Sequence, residues 1–240
     1  MEGVITVVIF LFLSGCDYSK NEFAAFKVEY KGALKNMMRK GDISAKADLS
    51  QFREVKHLYG LGAMEKLKGE IQIFDGKPIN TSIEAGNLII DNSYNKKATL
   101  FVYSVVENWM DVFIPDSINT YESLENFIEL SAKGNLINIK NPFPFLIIGI
   151  PESLHWHVID WPEGDTDHTH EKHKNSGVKG ILENEPVEML GFYSTSHHAI
   201  FTHHTTNMHI HVKSSNNKIA GHVDDLKAGK GMILKLPTIQ

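Results

Sequence analysis

Cysteine occurs once in the 240 residues, at position 16, which excludes a disulfide framework, a thiolate metal site and a cysteine nucleophile elsewhere. Arginine is nearly as scarce: Arg39 and Arg53 are the only two, and the remaining positive charge is lysine. The formal net charge of -5 leaves no basic footprint and argues against a nucleic-acid partner. No apolar run is long enough to cross a bilayer as a helix, the longest being the ten residues 4–13. No internal repeat and no low-complexity tract is present, and no glycine cluster has the spacing of a dinucleotide or P-loop motif. With 42% hydrophobic residues the chain can bury one substantial core or two small ones.

The apolar run has the length of a signal-peptide core, and it ends in Leu13-Ser14-Gly15-Cys16, which resembles the bacterial lipoprotein cleavage box. Residues 1–16 are therefore expected to be a lipoprotein signal peptide with Cys16 as the lipidated residue. Residues 17–24 follow as a tether, on a protein exported to the cell envelope and anchored to a membrane. Beyond them the pattern alternates between strand and helix. Lys27-Val28-Glu29-Tyr30 alternates as a strand, residues 33–39 are helix formers, and Asp48 can cap a short helix over 49–56. Asp75-Gly76 is a hairpin turn signal after Ile71 and Ile73, so Glu70 opens a strand, and the glycines at 60, 62 and 69 are best explained by close backbone approach. Strands are expected near 88–90, 100–106, 135–140 and 143–150. Residues 120–133 have helical spacing, with Gly134 at the C-terminal cap. The prolines at 142 and 144 mark a division into an N-terminal subdomain, 25–140, and a C-terminal metal-binding subdomain, 141–240. The expected class is α+β, two small subdomains built on mixed or antiparallel β-sheets.

Histidine is crowded into the second half, with twelve of thirteen lying between His155 and His222. His209 and His211 are two apart in Asn207-Met208-His209-Ile210-His211-Val212, so on a strand they share a face. The polar run Ser214-Ser215-Asn216-Asn217 is turn chemistry, after which the chain can return as a second strand carrying His222. In one even-numbered register His222 lies across from His209, and in the next across from His211; either puts three imidazoles on one face, as an open zinc-type site requires. Ordinary hydrogen-bonded strand histidines are the alternative. His155-Trp156-His157 is a further same-face pair, and His157, His203 and His204 are candidates for supporting the ligands or touching the substrate. His168-Thr169-His170-Glu171-Lys172-His173 reads as a solvated polar loop rather than a second metal site.

Two motifs together carry a family resemblance. Gly60-Leu61-Gly62-Ala63-Met64-Glu65-Lys66-Leu67-Lys68-Gly69-Glu70 followed by Asp75-Gly76 resembles the opening motif of acetolactate decarboxylases. Gly191-Phe192, then His209-Ile210-His211-Val212 and Gly221-His222-Val223-Asp224, is similar to that family's histidine segment, with the same ten residues between the second and third histidines. The resemblance implies zinc-dependent decarboxylation of 2-acetolactate, a 2-hydroxy-3-oxo acid, to acetoin. It implies Zn2+, or another divalent transition metal, on His209, His211 and His222, catalysis by Glu70, and a homodimer. Two departures accompany it: Leu146 stands where the family pattern has an arginine, and residues 232–240 supply no counterpart to its late glutamate. His155, His157, His203 or His204 would then take over carboxylate binding or proton transfer. The other readings are a non-catalytic zinc-buffering envelope lipoprotein and a related metal lyase acting on another 2-oxo or hydroxy acid.

Overall fold

The computed structural model describes residues 26–239, so the expected signal peptide, Cys16 and the tether lie outside the described residues. Among the described residues no helix is long and apolar enough to cross a membrane.

Eight strands form a first sheet: β1 (Glu29–Lys31), β2 (Ala47–Asp48), β3 (Leu58–Met64), β4 (Glu70–Phe74), β5 (Lys77–Pro78), β6 (Asn80–Glu84), β7 (Asn87–Asp91) and β8 (Lys97–Val105). Its order is β1-β8-β3-β4-β6-β7, with β2 beside β8 and β5 beside β4. Eight more form the second: β9 (Trp109–Phe113), β10 (Phe143–Gly149), β11 (Ser153–Val158), β12 (Val178–Glu183), β13 (Val187–Tyr193), β14 (Met208–Ser214), β15 (Ala220–Lys227) and β16 (Ile233–Pro237). Here the order is β12-β11-β15-β14-β13-β10-β16-β9. The pairs within both sheets are antiparallel, and among the described residues three α-helices complete the α+β fold: α1 (Leu34–Lys40), α2 (Tyr121–Gly134) and α3 (His170–Asn175).

Strand alternation sorts the side chains into layers. Ile71 and Ile73 of β4 face outward with Leu49, Leu58 and Phe101, whereas Glu70, Gln72 and Phe74 turn toward the second sheet. Between the sheets Leu61, Leu100 and Val102 meet Leu146, Leu190 and Phe192. The far face of the second sheet packs Phe145, Ile147, Met208, Ile210 and Val212 under Leu124, Ile128 and Ala132 of α2. The capping box of Thr120 and Ser123 starts α2, as its helical spacing requires. Asp75 and Gly76 both take positive φ, 48° and 71°, and close the turn that pairs Phe74 with Lys77.

Several expectations are corrected. Residues 135–140 alternate like a strand but form turns: Asn135 caps α2, Leu136 has φ of 63°, and Ile137 is drawn into the core under the helix. Gly134 is the last residue of α2 rather than its cap. The helix near 49–56 is a single 3-10 turn, Leu49–Phe52, capped by Asp48. The cluster at 168–173 is not all loop, because the Thr169 hydroxyl accepts from the Lys172 amide and starts α3. The chain changes sheets between β8 and β9, well before Pro142, so β9 and α2 belong with the second sheet.

Gly69 has φ of 141°, and a Cβ there would stand 2.2 Å from the Thr81 carbonyl oxygen. Gly69→Ala is expected to cost at least about 2 kcal/mol of folding stability through backbone strain and that clash, read as a lower denaturation midpoint.

Candidate metal centre

The hairpin of β14 and β15 places His211 directly across from His222, and β11 adds His157 on the other side of His222. Phe192 and Leu190 flank His209 and His211 from β13. The observed register is the one centred on Asn216-Asn217. One nitrogen from each of His209, His211 and His222 lies within 4.8 Å of the others, an arrangement that could hold a metal ion.

The tautomer of His211 is set from the first sheet. The Gln72 amide donates to the Ile79 carbonyl at 2.8 Å and contacts the Thr81 hydroxyl at 3.3 Å, which turns its Oε1 toward His211. His211 Nδ1–H therefore donates to Gln72 Oε1 at 2.7 Å, leaving Nε2 with a bare lone pair. That Nε2 stands 3.2 Å from His209 Nε2. Two nitrogens bound at about 2.0–2.1 Å to a tetrahedral zinc would be about 3.3 Å apart, so the His209–His211 pair already has a spacing that fits the ion.

Burial holds the three imidazoles neutral. It pushes His209 down to about 4, and it pushes His211 and His222 well below the ordinary histidine value, the neighbouring histidines adding to the effect. The reverse holds for Glu70, which is 4% exposed and whose Oε2 is 3.8 Å from His211 Nε2. Burial raises its pKa well above the carboxylate range. The Ile159 amide donating to its Oε1 opposes that rise, and the charge of Asp224 adds to it. Glu70 is a buried carboxyl, its pKa raised, held against a cluster of lone pairs.

Glu70, His209 and His222 line a cavity of about 600 Å³ between the sheets. His157 lines it too, donating from Nδ1 to Asp224 Oδ2 at 3.0 Å. A β-bulge opposite His155 and Trp156 inserts Asp224 into β15, which is why Val223 and Leu226, three residues apart, both reach the core. His203 reaches the cavity wall, and burial lowers it to about 4; His155 and His204 are exposed and off the wall. His168 and His173 bond to each other at 2.8 Å. His173 also faces the cavity, where α3 brings His170 and Lys174 beside it. Leu146, 3% exposed, shares a cross-strand row with Leu190, His211 and His222. Sequence reasoning missed Gln72, Asp224 and α3. For Gln72 a signal existed, since Glu70 and Gln72 alternate with Ile71 and Ile73.

No protein-family model matches the sequence. No curated protein matches it either. Solved structures do. Alpha-acetolactate decarboxylase from Bacillus subtilis strain 168 superposes with a TM-score of 0.71 at 15% identity, over 89% of this chain and 86% of that one. Acetolactate decarboxylase from Bacillus subtilis subspecies spizizenii gives 0.71 at 16% identity, over 88% and 85%. A Staphylococcus aureus protein of unknown function, described as similar to alpha-acetolactate decarboxylase, gives 0.66 at 15% identity, over 87% and 84%.

Replacing Gln72 by Leu removes the acceptor that orients His211, and zinc affinity measured by chelator competition should fall about 10- to 100-fold. Stability of the metal-free protein should also depend on pH in a defined direction. The unfolded histidines titrate near 6.5 and the folded ones lower, so stability is full above about 6.5 and is lost as pH falls toward the folded values. Each of His209 and His211 should contribute a slope of up to about 1.4 kcal/mol per pH unit in that window. Melting temperatures at pH 7.5 and 5.5 check this, and His211→Asn should flatten the dependence.

Proposed function

We propose that this chain, which has the acetolactate decarboxylase fold, is a metal-dependent carboxy-lyase that converts 2-acetolactate to acetoin and carbon dioxide. The observation that carries the reading is the buried Glu70 carboxyl, 3.8 Å from His211 Nε2, beside three convergent histidines. His209, His211 and His222 would hold Zn2+ or another divalent transition metal, which when bound supplies a Lewis acid for the charge that develops as carbon dioxide departs.

The chain's own residues account for the remaining steps. Leu67, Leu100 and Phe201 give the cavity an apolar stretch of wall for the substrate's carbon atoms. The bond from carbon 2 to the carboxylate breaks, and its electron pair passes onto the adjacent keto group. The Glu70 carboxyl then delivers its proton to carbon 2, which gives acetoin, and regains a proton from water. Since Glu70 rises from β4 of the opposite sheet, it approaches from one side only, and the product is expected to be a single enantiomer.

A second reading is favoured by Leu146. An apolar side chain fills the position where the family pattern carries arginine, in the same row as His211. A related 2-hydroxy or 2-oxo acid with a different carboxylate placement would fit that change. The N-terminal resemblance to a lipoprotein leader motivates the further proposal that the enzyme works in the cell envelope.

Zinc-loaded protein should form acetoin from racemic acetolactate with one zinc per chain. His209→Ala should lose both the metal and the activity, whereas Glu70→Gln should keep the zinc and lower kcat by at least about 100-fold. One tightly held zinc without acetoin formation would move the assignment to the related acid.

A further inference from the structure

We propose that Lys174 of α3 binds the carboxylate of the substrate, an inference that rests on the carboxy-lyase reading for the identity of that anion. Among the described residues Lys174 is the one lysine or arginine lining the cavity. Three carboxylates also line it besides Glu70: Glu122 and Glu125 of α2 and Asp224 of β15. A substrate anion entering this cavity is repelled by those carboxylates, and Lys174 is the lining side chain with a positive charge to receive it.

The geometry places Lys174 for the task. Asp224 is held at the bulge two residues beyond His222, with its side chain 5% exposed. One of its oxygens accepts from His157 Nδ1 at 3.0 Å, and the other lies 3.4 Å from Lys174 Nζ. These two contacts tie Asp224 and the Lys174 ammonium to the cavity wall that His157 and His222 also line. A charge-assisted bond is ordinarily about 2.7–2.9 Å, and at 3.4 Å the ammonium is anchored loosely, with donors left for a second acceptor. Lys174 lies four residues beyond His170 and one beyond His173, and all three line the cavity, so the turn of α3 that Thr169 caps delivers them together.

The test uses full zinc-loaded protein and the variants Lys174→Met, Lys174→Gln and Lys174→Arg, with zinc content and melting temperature followed in each. Lys174→Met should raise KM for acetolactate about 10- to 100-fold while kcat changes less than about threefold, and Lys174→Arg should recover most of the loss. Calorimetric titration supplies a readout apart from turnover. Binding of the anion 2-hydroxyisobutyrate should weaken by a similar factor in Lys174→Met and Lys174→Gln, whereas binding of uncharged acetoin should not change. Equal weakening of both ligands would assign Lys174 a structural role and overturn the inference. So would unchanged KM and anion affinity, in which case turnover by the parent protein would still uphold the lyase. A parent protein that binds no 2-hydroxyisobutyrate also overturns it. Lysine-dependent anion binding without acetoin formation would keep the carboxylate site and reject the lyase.

Discussion

Keeping three imidazoles uncharged is the constraint on which the rest of the structure depends. A histidine in water is partly protonated near neutral pH, and a protonated ring can neither coordinate a metal nor accept a hydrogen bond at that nitrogen. Here the solution is desolvation between two sheets: His211 is fully buried and His209 nearly so. The apolar contacts of Leu61, Leu100, Leu190 and Phe192 are therefore part of the site's chemistry as well as the core. The same dry interface that depresses the histidines elevates Glu70, so one environment sets an acid and a group of Lewis bases side by side.

Division of labour between the sheets follows from this. The second sheet contributes the donors, which a hairpin of fixed register can hold rigidly. The first contributes Gln72, which fixes the direction of one donor lone pair, and Glu70, which stands over it. A site built on one sheet would leave its other side open to water. One built across two is closed on both.

Much of the hairpin was legible because it depends on local rules. A spacing of two puts His209 and His211 on one face, and an even-numbered turn brings His222 to the same face, whatever the remainder of the chain does. The Asp75-Gly76 turn and the strand beginning at Glu70 were readable for the same reason. What escaped depends on distant partners. Gln72 matters only because β4 is laid over β14, a pairing of layers that no local pattern encodes. Residues 135–140 carry strand alternation, yet Ile137 is pulled into the α2 core, and tertiary burial overrides period. Pro142 and Pro144 punctuate the chain locally, but the passage between sheets comes before β9, which pairs with β16 from much later in the chain. For α3 the cues were present in the Thr169 cap, an acidic residue in the first turn and basic residues in the last. Six residues are too few to show periodicity.

The hydrogen bond from His211 to Gln72 joins residues 139 positions apart in the chain. Contacts of such separation form only after most of the chain has collapsed, because the closure of a long loop must precede them. On the nascent protein the hairpin can bring its histidines together, but the orienting amide arrives only when the sheets dock. Full coordinating strength at these histidines is thus a property acquired last, when the two sheets have docked. A chain halted before docking would carry the same three imidazoles without the amide that aims one of them.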